Sequence, residues 1–298
     1  MKKMLFVFNP HSGKGLIKNR LLKIVDTFIK AGYQVDIHPT QHTLDAKEKV
    51  ISRSGEYDMV ACSGGDGTLN EVVCGVMESG CNVPIGYIPS GSTNDFAASI
   101  KLPKQMEKAA EIVVDGTPFA TDIGTFNERP FVYIAAFGAF TDVSYATSQN
   151  MKNILGHQAY LLEGVKKLTS IKSHQIKVIH EDEVIEDTFI YGMVSNAKSA
   201  GGFKGITGKD VILDDGLFEV TLIKNIRNPL ELQSVISYLL GIGKKSERVI
   251  TFKASEIVFE SEDEIPWVLD GEYGGSPERV VIKNNQKAVK IMVANKKK

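Results

Sequence analysis

Short apolar runs alternate with longer amphipathic segments along the first hundred residues. Four runs have the length of buried strands: Met4–Asn9, Gln34–Pro39, Tyr57–Cys62 and Pro84–Ile88. Apolar residues between and after these runs recur at helical spacing. The predicted helical segments are Leu16–Lys30, Leu44–Ser54, Leu69–Met77 and a piece at Asp95–Ile100. Short buried strands separated by helices predict an α/β domain with a parallel sheet and right-handed crossovers.

The pattern changes near residue 120, where strand signals begin to dominate. The predicted strands are Phe131–Phe137, Gln175–His180, Thr188–Ser195, Leu217–Ile223, Val249–Phe252, Ile257–Glu260, Val280–Lys283 and Lys287–Val293. Turn residues such as Asn284–Asn285 separate several of them, and helices are predicted near Gln158–Ser170 and Pro229–Leu240. We therefore expect an α/β domain over 1–121 and an antiparallel β-sandwich-like domain over 122–287. Residues 288–298 are expected to pack back onto the first domain.

Composition narrows the class of protein. The 298 residues suit two domains, and 43% hydrophobic with 24% charged residues is typical of a globular protein. A net charge of -1 gives no indication of nucleic-acid binding, and three cysteines do not suggest a disulfide framework. The apolar run at the start ends at Asn9–Pro10, too short to span a membrane. We expect a soluble cytoplasmic protein without a transmembrane segment, and a homodimer is the general expectation for soluble proteins that form oligomers.

A glycine-rich turn follows the third predicted strand. Ser63–Glu71 reads Ser-Gly-Gly-Asp-Gly-Thr-Leu-Asn-Glu and opens a helix. Three glycines in four positions let a polyphosphate approach backbone N–H groups at a helix N-terminus. Asp-Gly also occurs in purely structural turns, but this position at the carboxyl end of a strand favours ligand binding. The turn is neither a P-loop nor a dinucleotide fingerprint.

Two further polar loops follow strands one and four. Asn9–Gly15 includes Ser12 and Lys14, and Pro89–Phe96 is dense in hydroxyl and amide groups. The first loop on its own is equally consistent with a glycine-rich helix entry. Loops after strands one, three and four should converge at one edge of a parallel sheet, which makes a phosphate site the better interpretation.

These motifs resemble a known family. Gly64–Thr68 with Asn70 and Glu71 is similar to the diacylglycerol kinase catalytic domain, which sphingosine and ceramide kinases share. NAD kinases and phosphofructokinases have a related turn. Further matches in family order are Asn9–Gly13, Gly91–Phe96, Ser195–Asn196, Gly201–Gly202, Asp214–Leu217 and Leu269–Glu272. The resemblance implies a soluble bacterial lipid kinase with its active site in an interdomain cleft.

The resemblance also implies ATP and Mg2+ as cofactors. The residues expected to contact ATP are Asn9, Ser12, Gly13, Lys14, Thr40, Gly64, Gly65, Asp66, Gly67, Thr68, Asn70, Glu71, Ser92, Thr93 and Asn94. Asp66, Asp95 and Asp122 would reach the metal through water. A carboxylate beside phosphates requires a cation between them. For Asp122 a plain turn remains an alternative.

The resemblance also implies catalytic roles for Asp270, Asp66 and Glu272. Asp270 would project from a turn and act as general base toward the lipid hydroxyl, with Asp66 at the triphosphate and Glu272 in support. A solvated Asp-Gly turn is the alternative. A second, structural Mg2+ would be held by Asp215 and by backbone carbonyls at Ile212 and Leu217; a plain hairpin turn explains this segment equally well.

The lipid acceptor is not specified by any motif. Diacylglycerol, presented at a membrane surface that the enzyme visits transiently, is the first expectation. The alternatives are a sphingoid base, phosphatidylglycerol, monoacylglycerol or a polyprenol as acceptor, an NAD kinase-like enzyme, or a nucleotide-sensing protein without turnover. Phe137, Phe140, Tyr160, Leu161, Val165, Leu168 and Phe203 could line an acyl channel, but core packing explains such residues more simply. Ala98 departs from the arginine common in the family, and Ser92 from its threonine.

Overall fold

A computed structural model describes residues 1–139, 172–198, 211–239 and 241–295. The predicted helix at 158–170 therefore lies outside the described residues, as do Gly201, Gly202 and the proposed channel residues other than Phe137. The described chain divides into an N-terminal unit, Met1–Ile123 with Asn285–Lys298, and a C-terminal unit, Gly124–Asn284.

The N-terminal unit alternates strands and helices. Its strands are β1 (Lys2–Phe8), β2 (Tyr33–Pro39), β3 (Met59–Gly64), β4 (Ile85–Pro89) and the first part of β5 (Thr117–Phe126). Its helices are α1 (Leu21–Lys30), α2 (Asp45–Arg53), α3 (Asp66–Ser79), α4 (Asp95–Ser99) and α5 (Met106–Asp115), with 3-10 turns at Ser12–Asn19 and Ser54–Glu56. The predicted helix over 16–30 is thus a 3-10 segment followed by α1, and α5 has no counterpart in the sequence prediction.

Parallel pairing orders the strands of this unit as β4-β3-β1-β2. The apolar runs form strands because helices cover them: α1 and α5 pack on a core that includes Phe6, Phe28, Ala109 and Met292. The Phe6 and Phe28 rings meet edge to face with centroids 5.4 Å apart. The predicted parallel sheet is confirmed.

Antiparallel pairing dominates the C-terminal unit. Its further elements are β6 (Arg129–Phe131), β7 (Ile134–Gly138), β8 (His174–His180), β9 (Glu183–Ser195), β10 (Phe218–Lys224), α6 (Pro229–Leu239), β11 (Val249–Ala254), β12 (Glu256–Glu260), β13 (Trp267–Leu269), β14 (Glu272–Gly275) and β15 (Arg279–Val293). Trp267 is the centre of the core, and its ring contacts those of Phe126, Phe137 and Phe259 at 4.8–5.2 Å. Phe137 is thus a core residue.

Two strand predictions are wrong, each for a visible reason. The single strand predicted over 131–137 is broken because the amides of Val132 and Tyr133 bond to the Asp270 carboxylate. The turn predicted at Asn284–Asn285 is absent, and β15 runs through it as one strand. There the Asn285 amide donates to the Ile123 carbonyl at 3.0 Å, so side-chain bonding replaces a turn.

The far end of β15 belongs to the N-terminal unit. Ile291 pairs in parallel with Ile85 of β4, and Val289, Ile291 and Met292 are buried. Helices of the described ranges include none with the length and hydropathy needed to cross a membrane.

Candidate active site

The carboxyl ends of β1, β3 and β4 are joined by backbone hydrogen bonds. The Asn9 amide donates to the Ser63 carbonyl at 2.9 Å, and the Ser90 amide donates to the Gly64 carbonyl at 2.8 Å. These bonds extend the strand pairing into the loops that follow the strands. The predicted convergence of the three polar loops at one sheet edge is therefore confirmed.

Glycines allow the three loops to approach one another closely. Gly13 has a φ of +56°, and a Cβ there would lie 1.7 Å from the Ser90 carbonyl oxygen. A Cβ on Gly91 would lie 2.6 Å from the Cα of Gly65. Any side chain at these two positions would separate the loops, so both glycines are required by contact, and Gly13 is required by its positive φ as well.

Helix α3 starts inside the glycine-rich turn. Gly65 occupies its N-cap position and has no side chain to cap the first-turn amides. Thr68 packs over Gly64. A Cβ at position 64 would lie 2.3 Å from the Thr68 side chain, so only glycine fits there. Asn70, on the next turn, accepts a hydrogen bond from the Cys74 thiol at 3.5 Å. The turn thus presents backbone donors at the positive end of a helix, where anions bind.

Asp66 connects the glycine-rich turn to the loop after β4. Its Oδ2 accepts hydrogen bonds from the Thr93 hydroxyl and the Asp95 amide, both at 3.3 Å. Asp95 itself is buried in α4, whereas Ser92 and Thr93 are exposed. The structure thereby places two of the three predicted metal-site carboxylates on adjacent segments.

Asn94 gives the loop after β4 its shape. Its side chain donates to the Gly91 carbonyl at 2.7 Å and accepts from the Gly91 amide at 3.0 Å, while its own φ is +53°. The hydroxyl of Tyr87 lies 3.4 Å from the same amide oxygen. Burial, with a further contribution from the Asp66 charge, raises the pKa of Tyr87 well above its ordinary value. Tyr87 therefore remains a neutral donor beneath the loop.

Thr40 lies just after β2, where its amide donates to the Phe8 carbonyl at 2.9 Å. The loop that continues to α2 is closed by Asp45. Asp45 Oδ2 accepts the Gln41 amide at 2.7 Å, and Oδ1 lies 2.9 Å from His38 Nε2. Burial raises the pKa of the Asp45 carboxyl, but these hydrogen bonds outweigh it and the net shift is downward.

Glu71 is directed at this same loop. Its Oε1 accepts the Leu44 amide at 3.0 Å and its Oε2 accepts the Ala46 amide at 3.2 Å. The sequence pattern assigns Asp45 only to a helix and gives His38 and Tyr87 no role at all. The one sequence signal is an acid in the first turn of α2, and it indicates only where that helix begins.

Asp122 is fully buried within β5, not in a turn. Its Oδ1 accepts the Lys287 amide at 2.8 Å, which ties β5 to β15. Among the described residues, no three His, Cys, Asp or Glu side chains are arranged as direct metal ligands. Lys14 lies in the 3-10 segment after β1, together with Ser12.

Asp270 is at the turn between β13 and β14, and its carboxylate is held by backbone amides. Oδ2 accepts from Val132 at 2.6 Å, and Oδ1 accepts from Tyr133 and Ile134 at 3.0 Å each. The residue is 7% exposed, so the solvated-turn alternative is wrong. The three donors fix the orientation of the anionic carboxylate.

Glu272 is exposed and lies 3.8 Å from Arg129 Nη2. Arg129 also donates to the Tyr273 carbonyl at 3.0 Å, so it braces the turn that follows Asp270. Glu272 is therefore beside Asp270 in sequence but points to a surface cation.

The segment that the resemblance assigns to a structural metal site lies beside a lysine ammonium group. Asp215 Oδ1 accepts the Leu217 amide at 3.1 Å, and Oδ2 lies 3.5 Å from Lys253 Nζ. The same ammonium is 2.9 Å from Glu219 Oε1, and Ile212 is exposed. An Mg2+ bound at Asp215 would have to share that carboxylate with Lys253.

Comparison with known proteins agrees with this geometry. Residues 3–126 match the family model described as diacylglycerol kinase catalytic domain, and residues 136–293 match the YegS C-terminal NAD kinase beta sandwich-like domain. A diacylglycerol kinase of Staphylococcus carnosus is 34% identical over 277 residues, 92% of this chain and 90% of that protein. The chain belongs to the diacylglycerol kinase family. It is thus a phosphotransferase of the lipid kinase class that acts on a hydroxyl group.

Other members of the family support the assignment. The diacylglycerol kinase of Bacillus subtilis is 31% identical over 92% of this chain and 91% of its own. A diacylglycerol kinase structure from Bacillus anthracis superposes with a TM-score of 0.76 at 22% identity, covering 98% of this chain and 97% of that one. A second structure from that organism reaches 0.81 at 24% identity over 98% and 97%. These two structures establish the fold of this diacylglycerol kinase family member.

Proposed function

We propose that this lipid kinase transfers the γ-phosphoryl group of ATP to diacylglycerol, with Mg2+, and so forms phosphatidic acid. The convergence of three polar loops at the carboxyl ends of β1, β3 and β4 supports this proposal most directly. The backbones of the loops after β3 and β4 are in close contact at Gly65 and Gly91. The names of the relatives support diacylglycerol as the acceptor.

In this proposal each loop has a part in holding ATP. The amides of Gly64–Thr68 bind phosphate oxygens, with Ser12, Gly13 and Lys14 from the first loop. Asn9, Asn70, Ser92, Thr93 and Asn94 complete the phosphate-side polar groups, and Thr40 lines the nucleoside side. Because Asp66 and Asp95 are adjacent, they would hold Mg2+ through water together with Asp122; carboxylate oxygens fit this hard cation. When bound, Mg2+ would neutralise the charge of the phosphates.

Asp270 is the proposed general base. Its three amide donors keep the carboxylate in one orientation, which suits a group that must orient a hydroxyl nucleophile and accept its proton. Glu272 would support it by pairing with Arg129, which braces the turn. The lipid would reach the enzyme at a membrane surface.

The experiment is transfer of labelled phosphate from ATP to a panel of acceptors in mixed micelles. Diacylglycerol, monoacylglycerol, a sphingoid base, phosphatidylglycerol, a polyprenol and NAD form the panel. We expect labelled phosphatidic acid and a dependence on Mg2+. Label on another acceptor in preference to diacylglycerol would refute the substrate assignment, and label on none would refute turnover.

Asp270→Asn tests the catalytic role. We expect ATP affinity to remain and transfer to fall roughly 100-fold or more, because a general base contributes about 10²–10⁴-fold. Asp182→Asn, at an exposed turn of the same unit, is the matched control and should leave both unchanged. Normal transfer by Asp270→Asn would remove Asp270 from the mechanism.

A further inference from the structure

Glu71 links the phosphate-binding helix to the loop after β2. It lies on α3, five residues after Asp66, and each oxygen of its carboxylate accepts a different backbone amide of the α2 entry. Oε1 bonds Leu44 N at 3.0 Å and Oε2 bonds Ala46 N at 3.2 Å. Its carboxylate therefore caps the N-terminus of a neighbouring helix, where a negative charge is favoured.

The capped loop is in a conformation that its own sequence does not favour. Leu44, at the N-cap position of α2, has a φ of +68°, which is costly for a leucine. The Glu71 bond to the Leu44 amide offsets that strain from outside the loop. From inside, Asp45 holds the Gln41 amide at 2.7 Å. The segment from Thr40 to Leu44 is thus fixed at both ends.

We infer that Glu71 is a positioning residue that fixes the position of the Thr40–Leu44 loop relative to the phosphate-binding turn. The two segments can then bind the nucleoside and triphosphate ends of one ATP molecule at the same time. This inference rests on the proposed function. It differs from the role implied by the sequence resemblance, in which Glu71 contacts the nucleotide directly. A positioning role predicts that the nucleoside end of ATP is affected and the phosphate end is not.

The experiment compares Glu71→Ala and Glu71→Gln with Glu78→Ala. Glu78 is on the same helix and also contacts α2, through Lys47 at 2.6 Å, but on the surface. In the intact enzyme we expect Glu71→Ala to raise KM for ATP roughly tenfold to hundredfold while kcat stays within about threefold, because hydrogen bonds to a charged group that order a binding loop contribute binding shared by ground and transition states. Glu71→Gln keeps one acceptor oxygen and should give an intermediate KM, and Glu78→Ala should match wild type.

Inorganic tripolyphosphate with Mg2+ separates the two ends of the ligand. Calorimetric affinity for tripolyphosphate should be equal in Glu71→Ala, Glu71→Gln and wild type, while affinity for ATP falls in both variants. Equal weakening of ATP and tripolyphosphate, or loss of kcat at unchanged KM, would overturn the inference. So would unchanged kinetics in both Glu71 variants. Failure of the wild-type enzyme to bind ATP would instead refute the proposed function.

Discussion

At the scale of single residues, Asp270 has a structural role that accompanies its proposed chemistry. Replacing it with alanine would leave three backbone amides without this acceptor, two of them buried, so we expect Asp270→Ala to lose about 2–4 kcal/mol of unfolding free energy. Asp270→Asn keeps one acceptor oxygen but turns an NH2 group toward the remaining amide donor, so we expect a smaller loss than for alanine; asparagine tolerates the φ of +51° at this position. Urea unfolding of both variants measures the difference.

The control for that measurement is Asp182→Ala, which should change stability by less than about 0.5 kcal/mol because the side chain is exposed. Equal stability of Asp270→Ala and wild type would mean that the amides do not depend on the carboxylate. A folded, inactive Asp270→Asn is the combination that separates chemistry from folding.

Lys253 is a second residue whose removal has a defined electrostatic result. Burial raises the pKa of Glu219, and the nearby Lys253 ammonium opposes that shift. Lys253→Met would leave the Glu219 and Asp215 carboxylates facing each other. At pH 7 we expect a loss of about 1–2 kcal/mol, less than for a fully buried pair because the lysine side chain is 38% exposed.

The sign of the pH dependence follows from the raised Glu219 pKa. Below its unfolded pKa, Glu219 is protonated in both the folded and the unfolded state. The free energy of unfolding then falls as pH rises from the unfolded pKa to the higher folded pKa, because the unfolded state loses its proton first. Lys253→Met should therefore be less destabilised at pH 5 than at pH 7, as measured by urea unfolding at both pH values. Lys283→Met, which breaks an exposed pair with Glu256, should show little change at either pH. A deficit independent of pH would contradict the electrostatic account.

At the scale of elements, the close contact between loops makes a prediction about glycine. Gly13 and Gly80 both have positive φ, but a Cβ on Gly80 meets nothing within 4 Å. Alanine at either site costs about 1 kcal/mol in backbone strain. Gly13→Ala must also displace the Ser90 carbonyl, so we expect its ATP affinity to fall at least roughly tenfold.

Calorimetric titration of ATP into both variants gives the comparison, with Gly80→Ala expected to bind as wild type does. If the two alanines weaken ATP equally, loop contact is not what positions the phosphate groups.

The secondary-structure elements also show how much of the fold is predictable from the sequence alone. The strands of the N-terminal unit are predictable because helices cover both faces of a parallel sheet and make its strands continuously apolar. Convergence of the three polar loops follows from that topology. Helix α5 was not predicted. The break between β6 and β7 is not predictable, since it depends on Asp270, more than 130 residues away.

The candidate site is also predictable from the sequence only in part. Glycine and acidic positions in Gly64–Thr68 are recognisable from the order of residue types. The partners of Glu71 are backbone amides 25 and 27 residues distant, and no residue-type pattern indicates a bond to an amide. At Asn284–Asn285 the sequence predicts a feature that the structure lacks. These residue types favour a turn, but the Asn285 side chain bonds to β5 and the chain stays extended.

At the scale of the whole molecule, the N-terminal unit needs residues from both ends of the described chain. Val289, Ile291 and Met292 are buried, and each such side chain contributes about 1.5–3 kcal/mol. We expect residues 1–123 expressed alone to be unstable. Residues 1–123 joined to 285–298 by a short Gly-Ser linker should unfold cooperatively, since Asn285 already contacts Ile123 at 3.0 Å.

Circular dichroism during urea unfolding compares the two fragments. If residues 1–123 alone unfold at the same denaturant concentration as the linked form, the last strand is dispensable to this unit. Ile291→Ala in the intact chain is the matched point variant and should cost about 2–5 kcal/mol.

The course of β15 has a consequence for biosynthesis. A ribosome makes residues 1–123 first, yet β4 lacks its outer neighbour until the segment near Ile291 emerges. During translation of the intervening 161 residues of Gly124–Asn284, the nascent sheet exposes an open apolar edge, a state prone to aggregation. Chaperone demand for this protein should therefore be greatest before β15 is synthesised.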